Sequence, residues 1–204
     1  MKLFNDSIDQ SLNLLPKNGI VNYYGKVFPE ELADAIFSKL IEKLDWKNDE
    51  AIVYGKHHVT KRKVAWYGTE QFHYKYAGIL REAIPFNKEL SKLKEFIELQ
   101  TNERYNSCLC NLYHDGDESM GWHSDNEKEL KKHGAIASLS FGAERNFAFK
   151  HKTSNEKLKF LLEHGSLLVM KGEIQDHWLH RLPPSKKVTS ARINLTFRTI
   201  SNTK

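Results

Sequence analysis

Residues 191–200, ARINLTFRTI, alternate in a way that decides the fold: Arg192, Asn194, Thr196 and Arg198 fall on one face of a strand, and Ile193, Leu195 and Phe197 on the other, because strand side chains repeat every second residue. If the apolar face is core, two guanidiniums project together into a barrel interior. Uncompensated charge there is costly, so the pattern implies a bound dianion, and a guanidinium fork suits a carboxylate in two-point geometry. Upstream, residues 107–114 (SCLCNLYH), 135–142 (AIASLSFG), 145–151 (RNFAFKH) and 166–170 (SLLVM) are short runs rich in β-branched and aromatic residues, separated by turn-like DGDES, GAE and KGE. The second half of the chain is therefore expected to be a β-barrel or sandwich.

The first half has a different texture. Between Pro29 and Leu44, apolar Leu32, Ala35, Ile36, Leu40, Ile41 and Leu44 recur at helical spacing, with Pro29 suited to a first turn. A second amphipathic helix is predicted over Asn87–Leu99, carrying Leu90, Leu93 and Ile97. Between the helices, residues 51–76 read as hairpin-like strands bearing aromatic and basic side chains. The class is α+β. With 204 residues, 40% of them apolar, the chain can bury a self-sufficient core; one domain over residues 21–204 is expected, behind an extension of residues 1–20. Cys108 and Cys110 share a strand face and offer no disulfide framework, which fits a reducing compartment. There is neither a bilayer-length apolar run nor a signal-peptide core, so an intracellular, monomeric chain without a membrane partner is expected: cytoplasmic if bacterial, nuclear if eukaryotic. Lys and Arg total 31 against 26 Asp and Glu, a balance that favours an anionic partner without demanding one.

The chemistry concentrates in His123-Ser124-Asp125. In an extended segment the outer two side chains point the same way, so an imidazole and a carboxylate can share a metal. A third ligand is offered by the histidines that follow SLLVM, and spacing does not choose between His177 and His180. Two histidines and one carboxylate hold one face of Fe(II) and leave positions open for co-substrate and oxygen; the dianion required by the arginine face then has a natural identity in 2-oxoglutarate.

NLYHDGDESMGWHSDNE, IASLSFGAERNFAFKHK, LEHGSLLVM, HWLHRLP and ARINLTFR, in that order, resemble the AlkB family of Fe(II)/2-oxoglutarate-dependent dioxygenases, and most of all its DNA-repair subgroup. The resemblance spans roughly Ile52–Ile200. It implies a double-stranded β-helix (jelly-roll) core with N-terminal helices and a nucleotide-recognition hairpin region over residues 51–78. It implies iron at His123, Asp125 and His180, and 2-oxoglutarate held by Asn111, Tyr113, Arg192, Asn194 and Arg198, with Arg192 at the distal carboxylate and Arg198 nearer the metal. The activity implied is oxidative demethylation of N1-methyladenine and N3-methylcytosine in DNA, converting 2-oxoglutarate and O2 to succinate and CO2 and releasing formaldehyde.

On the substrate side the resemblance assigns Tyr54 to a wedge, where the family's turn carries phenylalanine, Tyr74 to a polar base contact, Tyr76 to a stacking platform, and Glu127 to an acidic base contact. A cationic methylated base is favoured by a π face and a carboxylate. Lys56, Lys61, Arg62 and Lys63 form the densest basic run near this segment, with Lys150, Lys152, Lys186 and Lys187 as scattered phosphate candidates. Two rival readings stand beside the first: the same oxygenase chemistry on RNA or a protein, and a catalytically silent nucleic-acid-binding module.

Overall fold

The computed structural model describes residues 9–53, 56–76 and 79–201. In chain order the elements are β1 (Ile20–Lys26), α1 (Glu30–Lys43), β2 (Lys47–Val53), β3 (Lys56–Gly68), β4 (His73–Tyr76), β5 (Ile79–Glu82), β6 (Ile84–Pro85), α2 (Lys88–Thr101), β7 (Ser107–Tyr113), β8 (Met120–His123), β9 (Ile136–Gly142), β10 (Arg145–His151), β11 (Lys157–Leu162), β12 (Ser166–Lys171), α3 (Ile174–His177), β13 (Trp178–Leu182) and β14 (Arg192–Arg198). The larger sheet runs β1-β12-β9-β14-β7-β3-β2, with β6 added parallel to β3; the smaller runs β11-β10-β13-β8, and β4-β5 form a separate ribbon. This is the expected α+β jelly-roll.

β14 lies at the centre of the larger sheet, hydrogen-bonded to β7 on one side and β9 on the other. Its two faces are both buried, for different reasons. Ile193, Leu195 and Phe197 join Cys108, Cys110, Leu139 and Leu167 under Leu40 of α1 and Leu90, Leu93 and Ile97 of α2. The opposite face looks into the space between the sheets. Part of that space is filled by Phe149, Leu162, Leu168, Met170 and Trp178, and the rest is left to polar side chains. Alternation in one strand thus separates a structural face from a chemical one.

Both predicted helices form. Pro29 immediately precedes α1, and the Asn87 side chain caps α2 by accepting the Leu90 N–H at 2.9 Å. α2 runs two residues past the expected end, to Thr101, and stops where Asn102 takes φ 54°, a left-handed turn that asparagine tolerates. The described part of the N-terminal extension packs on the barrel: Leu15 is buried between the sheets, and Trp178 Nε1 donates to the Lys17 carbonyl at 3.1 Å. Cys108 and Cys110 are buried thiols with sulfurs 3.8 Å apart. Among the described residues no helix is long and apolar enough to cross a membrane.

Two loops close one end of the space between the sheets, and Arg145 ties them together. Its buried guanidinium donates to the carbonyls of Asp115 (3.1 Å), Gly116 (3.2 Å), Glu118 (3.0 Å) and Pro183 (2.8 Å). Gly116 exchanges backbone hydrogen bonds with Val188 and Ser185, and a Cβ added there would lie 1.9 Å from the Ser185 carbonyl oxygen. Backbone cannot yield as a side-chain tip can. Gly116→Ala is expected to lower stability by about 1–3 kcal/mol, read as a fall of several degrees in Tm; an unchanged melting curve would mean the two loops are not locked.

Candidate active site

β8 is the edge of the smaller sheet and β13 its neighbour, and their register pairs His123 directly with His180. Paired residues share a face, so both imidazoles point into the barrel, where the segment leaving β8 brings Asp125. The Asp125 backbone is held by its N–H donating to Gln175 Oε1 at 2.9 Å. Asp125 Oδ1 lies 3.7 Å from His123 Nε2 and 3.8 Å from His180 Nε2. One ligand atom from each of the three residues lies within 4.8 Å of the others, the one such metal-competent group among the described residues. His177 is excluded from it: it sits half-buried at the end of α3, stacked on His151.

The electrostatics suit a cation. His123 Nδ1 lies 2.8 Å from the Gly121 carbonyl, so that nitrogen carries the proton and Nε2 presents a lone pair. Desolvation pushes His180 down to about 3, so it is neutral at physiological pH, as a ligand must be; its Nδ1 is buried without a hydrogen-bond partner. For Asp125, burial pushes the pKa up most strongly, but Arg198, His180 and His123 together outweigh it and hold the carboxyl below its usual range. Arg198 Nη2 and Nε donate to Asp125 Oδ2 at 2.6 and 3.0 Å. The donor set of two imidazoles and one carboxylate, with an orphaned polar atom beside it, fits Fe(II).

The anion side lies next to it. The register β14 to β7 pairs Arg192 with Tyr113 and Asn194 with Asn111, gathering four predicted residues on one face. Arg192 is 2% exposed. Its guanidinium donates to Ser140 Oγ at 2.9 Å and lies 5.6 Å from the Tyr113 ring centroid, while its Nε has no partner. Burial lowers its pKa to about 10. No carboxylate among the described residues pairs with it, and a buried guanidinium in that state calls for an anion. Arg198, the other guanidinium of this strand face, donates to Asp125. Asn194 is likewise committed: its Nδ2 donates to Ser138 Oγ (2.8 Å) and the Leu139 carbonyl (3.2 Å), and its Oδ1 accepts from Thr196 (3.1 Å).

Arg62 and Lys63, expected among the substrate contacts, both lie on β3. Arg62 is no surface cation: it is buried, and its guanidinium bridges Asp49 on β2 to Asn111 Oδ1 on β7. Because the amide oxygen of Asn111 is thereby occupied, its Nδ2 donors are left for the pocket. Lys63, next along β3, pairs with Leu112, so strand alternation sends it to the helix-side face, away from the site. Glu127 lines the same pocket as His123 and Arg192; burial raises its pKa, and Oε2 has no hydrogen-bond partner. A wider cleft of about 390 Å³ opens beyond Asp125 and Glu127, with Lys128, Lys131 and Lys132 on its wall. Tyr54 lies outside the described residues. Tyr74 and Tyr76 are on β4, facing Arg81 and Ile79 of β5 in backbone register, and their side chains lie outside the described set. Asp49, Gln175 and Ser140 support the site without having been anticipated; the one signal for Asp49 is an acid among the alternating residues of KNDEAIV.

Comparison with known proteins agrees with this geometry. The chain is 37% identical to the human DNA oxidative demethylase ALKBH2 over 192 residues, 89% of this chain and 74% of that one. It is 35% identical to the Bos taurus ALKBH2 over 206 residues (96% and 74%), and 40% identical to the Bos taurus alpha-ketoglutarate-dependent dioxygenase alkB homolog 3 over 178 residues (82% and 62%). The solved structure of OsALKBH1 shares the fold, with a TM-score of 0.60 at 17% identity, covering 91% of this chain and 99% of that one. Residues 20–198 match the 2OG-Fe(II) oxygenase superfamily, and the chain therefore belongs to that family, an enzyme whose cofactors are Fe(II) and 2-oxoglutarate.

Proposed function

We propose that this enzyme demethylates N-alkylated bases in DNA, N1-methyladenine and N3-methylcytosine first among them. In this reading His123, Asp125 and His180 hold the iron, and Arg192, Tyr113 and Asn111 hold 2-oxoglutarate. The observation that carries it is the buried pairing of a two-histidine, one-carboxylate cluster with an arginine that lacks a counter-ion, in a chain whose relatives include DNA oxidative demethylases. Held by those residues, Fe(II) with 2-oxoglutarate and O2 would supply oxidative hydroxylation of the N-methyl group, which would leave as formaldehyde and free the repaired base.

The chain's own residues do the positioning. Arg192 takes the distal carboxylate, and Tyr113 and Asn111 line its path, with Asn111 held in one amide orientation by Arg62 and Asp49. Arg198 keeps Asp125 ionised and fixed. Glu127 turns an unpartnered oxygen into the pocket, where it can accept from the exocyclic amine of a flipped base and favour a cationic ring over a neutral one. Base extrusion is assigned to the β2-β3 hairpin and the β4-β5 ribbon, with Tyr54, Tyr74 and Tyr76 as contacts.

The test is anaerobic reconstitution with Fe(II) and 2-oxoglutarate, then air and an oligonucleotide carrying one N3-methylcytosine. Mass analysis is expected to show loss of one methylene per molecule, and Glu127→Gln to lower kcat/KM about 10- to 100-fold. Succinate formed without methyl loss, on DNA and on a matched RNA, would overturn the assigned substrate.

A further inference from the structure

The smaller sheet has a second face. Side chains of β8, β10, β11 and β13 alternate between the barrel interior, which receives His123, Phe147, Phe149 and His180, and the outside. On the outside, the register sets Lys159 and Arg181 on either side of Ala148, and sets Lys157 directly opposite Lys150. The Trp122 ring continues the first row, 4.6 Å from the Arg181 guanidinium carbon. None of these four strands contains an aspartate or glutamate.

The four cations are not compensated. Among the described residues none of them forms an ion pair, and Arg181 Nε has no hydrogen-bond partner. Glu156, in the turn between β10 and β11, is engaged by Lys17 at 2.7 Å and by Ser154. Like charges directly opposite in a sheet are destabilising. Neighbouring strands lie roughly 5 Å apart, so the cations cover an area about 10 Å across rather than lining a pocket. That is the form a polymeric anion fits, and the aromatic ring beside it suits a nucleobase.

We propose that this outer face is a second nucleic-acid docking surface, which grips the backbone of the strand beyond the base being processed, with Trp122 as a stacking platform. The proposal rests on the reading of nucleic acid as substrate. β8 makes the route short: it is an edge strand, with His123 on its inner side and Trp122 on its outer side, so a strand that delivers one base to the pocket passes over this edge onto the basic face.

The test uses the full chain with Lys150, Lys157 and Lys159 all changed to Glu, and a second variant with the same three changed to Gln. Anisotropy with an unmodified 20-nucleotide single strand is expected to show binding at least 10-fold weaker in the Glu variant and an intermediate loss in the Gln variant. The slope of log K against log salt should fall by about 2, near 0.7 for each lost phosphate contact. Turnover of a methylated trinucleotide, too short to reach the face, should stay within about 2-fold of wild type. Wild-type binding and salt slope in the Glu variant would overturn the proposal, as would wild-type protein that binds anionic vesicles but no nucleic acid. Tight, salt-sensitive binding by a wild-type protein that removes no methyl group would instead overturn the demethylase reading and leave this surface standing.

Discussion

Asp125→Ala is expected to abolish both metal-dependent stabilisation and turnover. One oxygen of this carboxylate stands 3.7 and 3.8 Å from the two histidines while the other takes two donors from Arg198, so a single side chain completes the ligand set and neutralises the arginine behind it. Succinate formation should fall by more than the roughly 10–100-fold that follows loss of an outer-shell partner. Mn(II) is expected to raise the Tm of the wild-type protein and to leave that of this variant unchanged. The apo protein should also lose stability, near the lower end of the roughly 3–5 kcal/mol that accompanies breaking a buried pair, because Arg198 keeps some access to solvent. Asp125→Asn separates the two effects: it retains an acceptor for Arg198 but removes the anionic ligand, so it should spare the fold and still lose metal. Turnover near wild type in either variant would remove Asp125 from the ligand set.

Arg192→Met carries the second large effect, and its two readouts move in opposite directions. The guanidinium is buried with a neutral hydroxyl as its one hydrogen-bond partner among the described residues, so the apo protein bears an uncompensated charge. A methionine of similar length removes that burden, and apo Tm is expected to stay level or rise. The same change deletes the counter-ion for a buried carboxylate, a loss of about 2–5 kcal/mol. KM for 2-oxoglutarate should therefore increase by about 30-fold or more, while turnover at saturating 2-oxoglutarate suffers far less. Unchanged KM would show that the anion is anchored elsewhere; a sharp fall in apo Tm would show that Arg192 serves the fold.

The contrast between the two arginines of β14 shows where sequence reasoning ends. Alternation placed Arg192 and Arg198 on the interior face, and both are there, because strand periodicity is a local property that one sequence displays in full. Which of them lacks a partner is not local: Asp125 reaches Arg198 from 73 positions away. His180 and His177 differ for the same reason. One is on β13 in register with His123 and the other ends α3, a choice made by sheet pairing. Arg62 stands in KRK, which has the look of a solvated charge run, yet it is buried. Its inward turn depends on Asp49 across a hairpin and Asn111 across another strand pair, and a basic run does not reveal which of its members meets a buried acid. The helices were legible almost to the residue, since Pro29 and Asn87 mark their starts by local chemistry.

The proposed chemistry needs one metal ion shared by His123, Asp125 and His180 beside an anion on Arg192. Crystals grown anaerobically with Mn(II) and 2-oxoglutarate test this directly, through anomalous scattering at the manganese edge. A single strong peak is expected within bonding distance of those three side chains, with a carboxylate of the co-substrate against the Arg192 guanidinium. A peak held by His133, Asp176 or His177 instead, or 2-oxoglutarate bound away from Arg192, would contradict it.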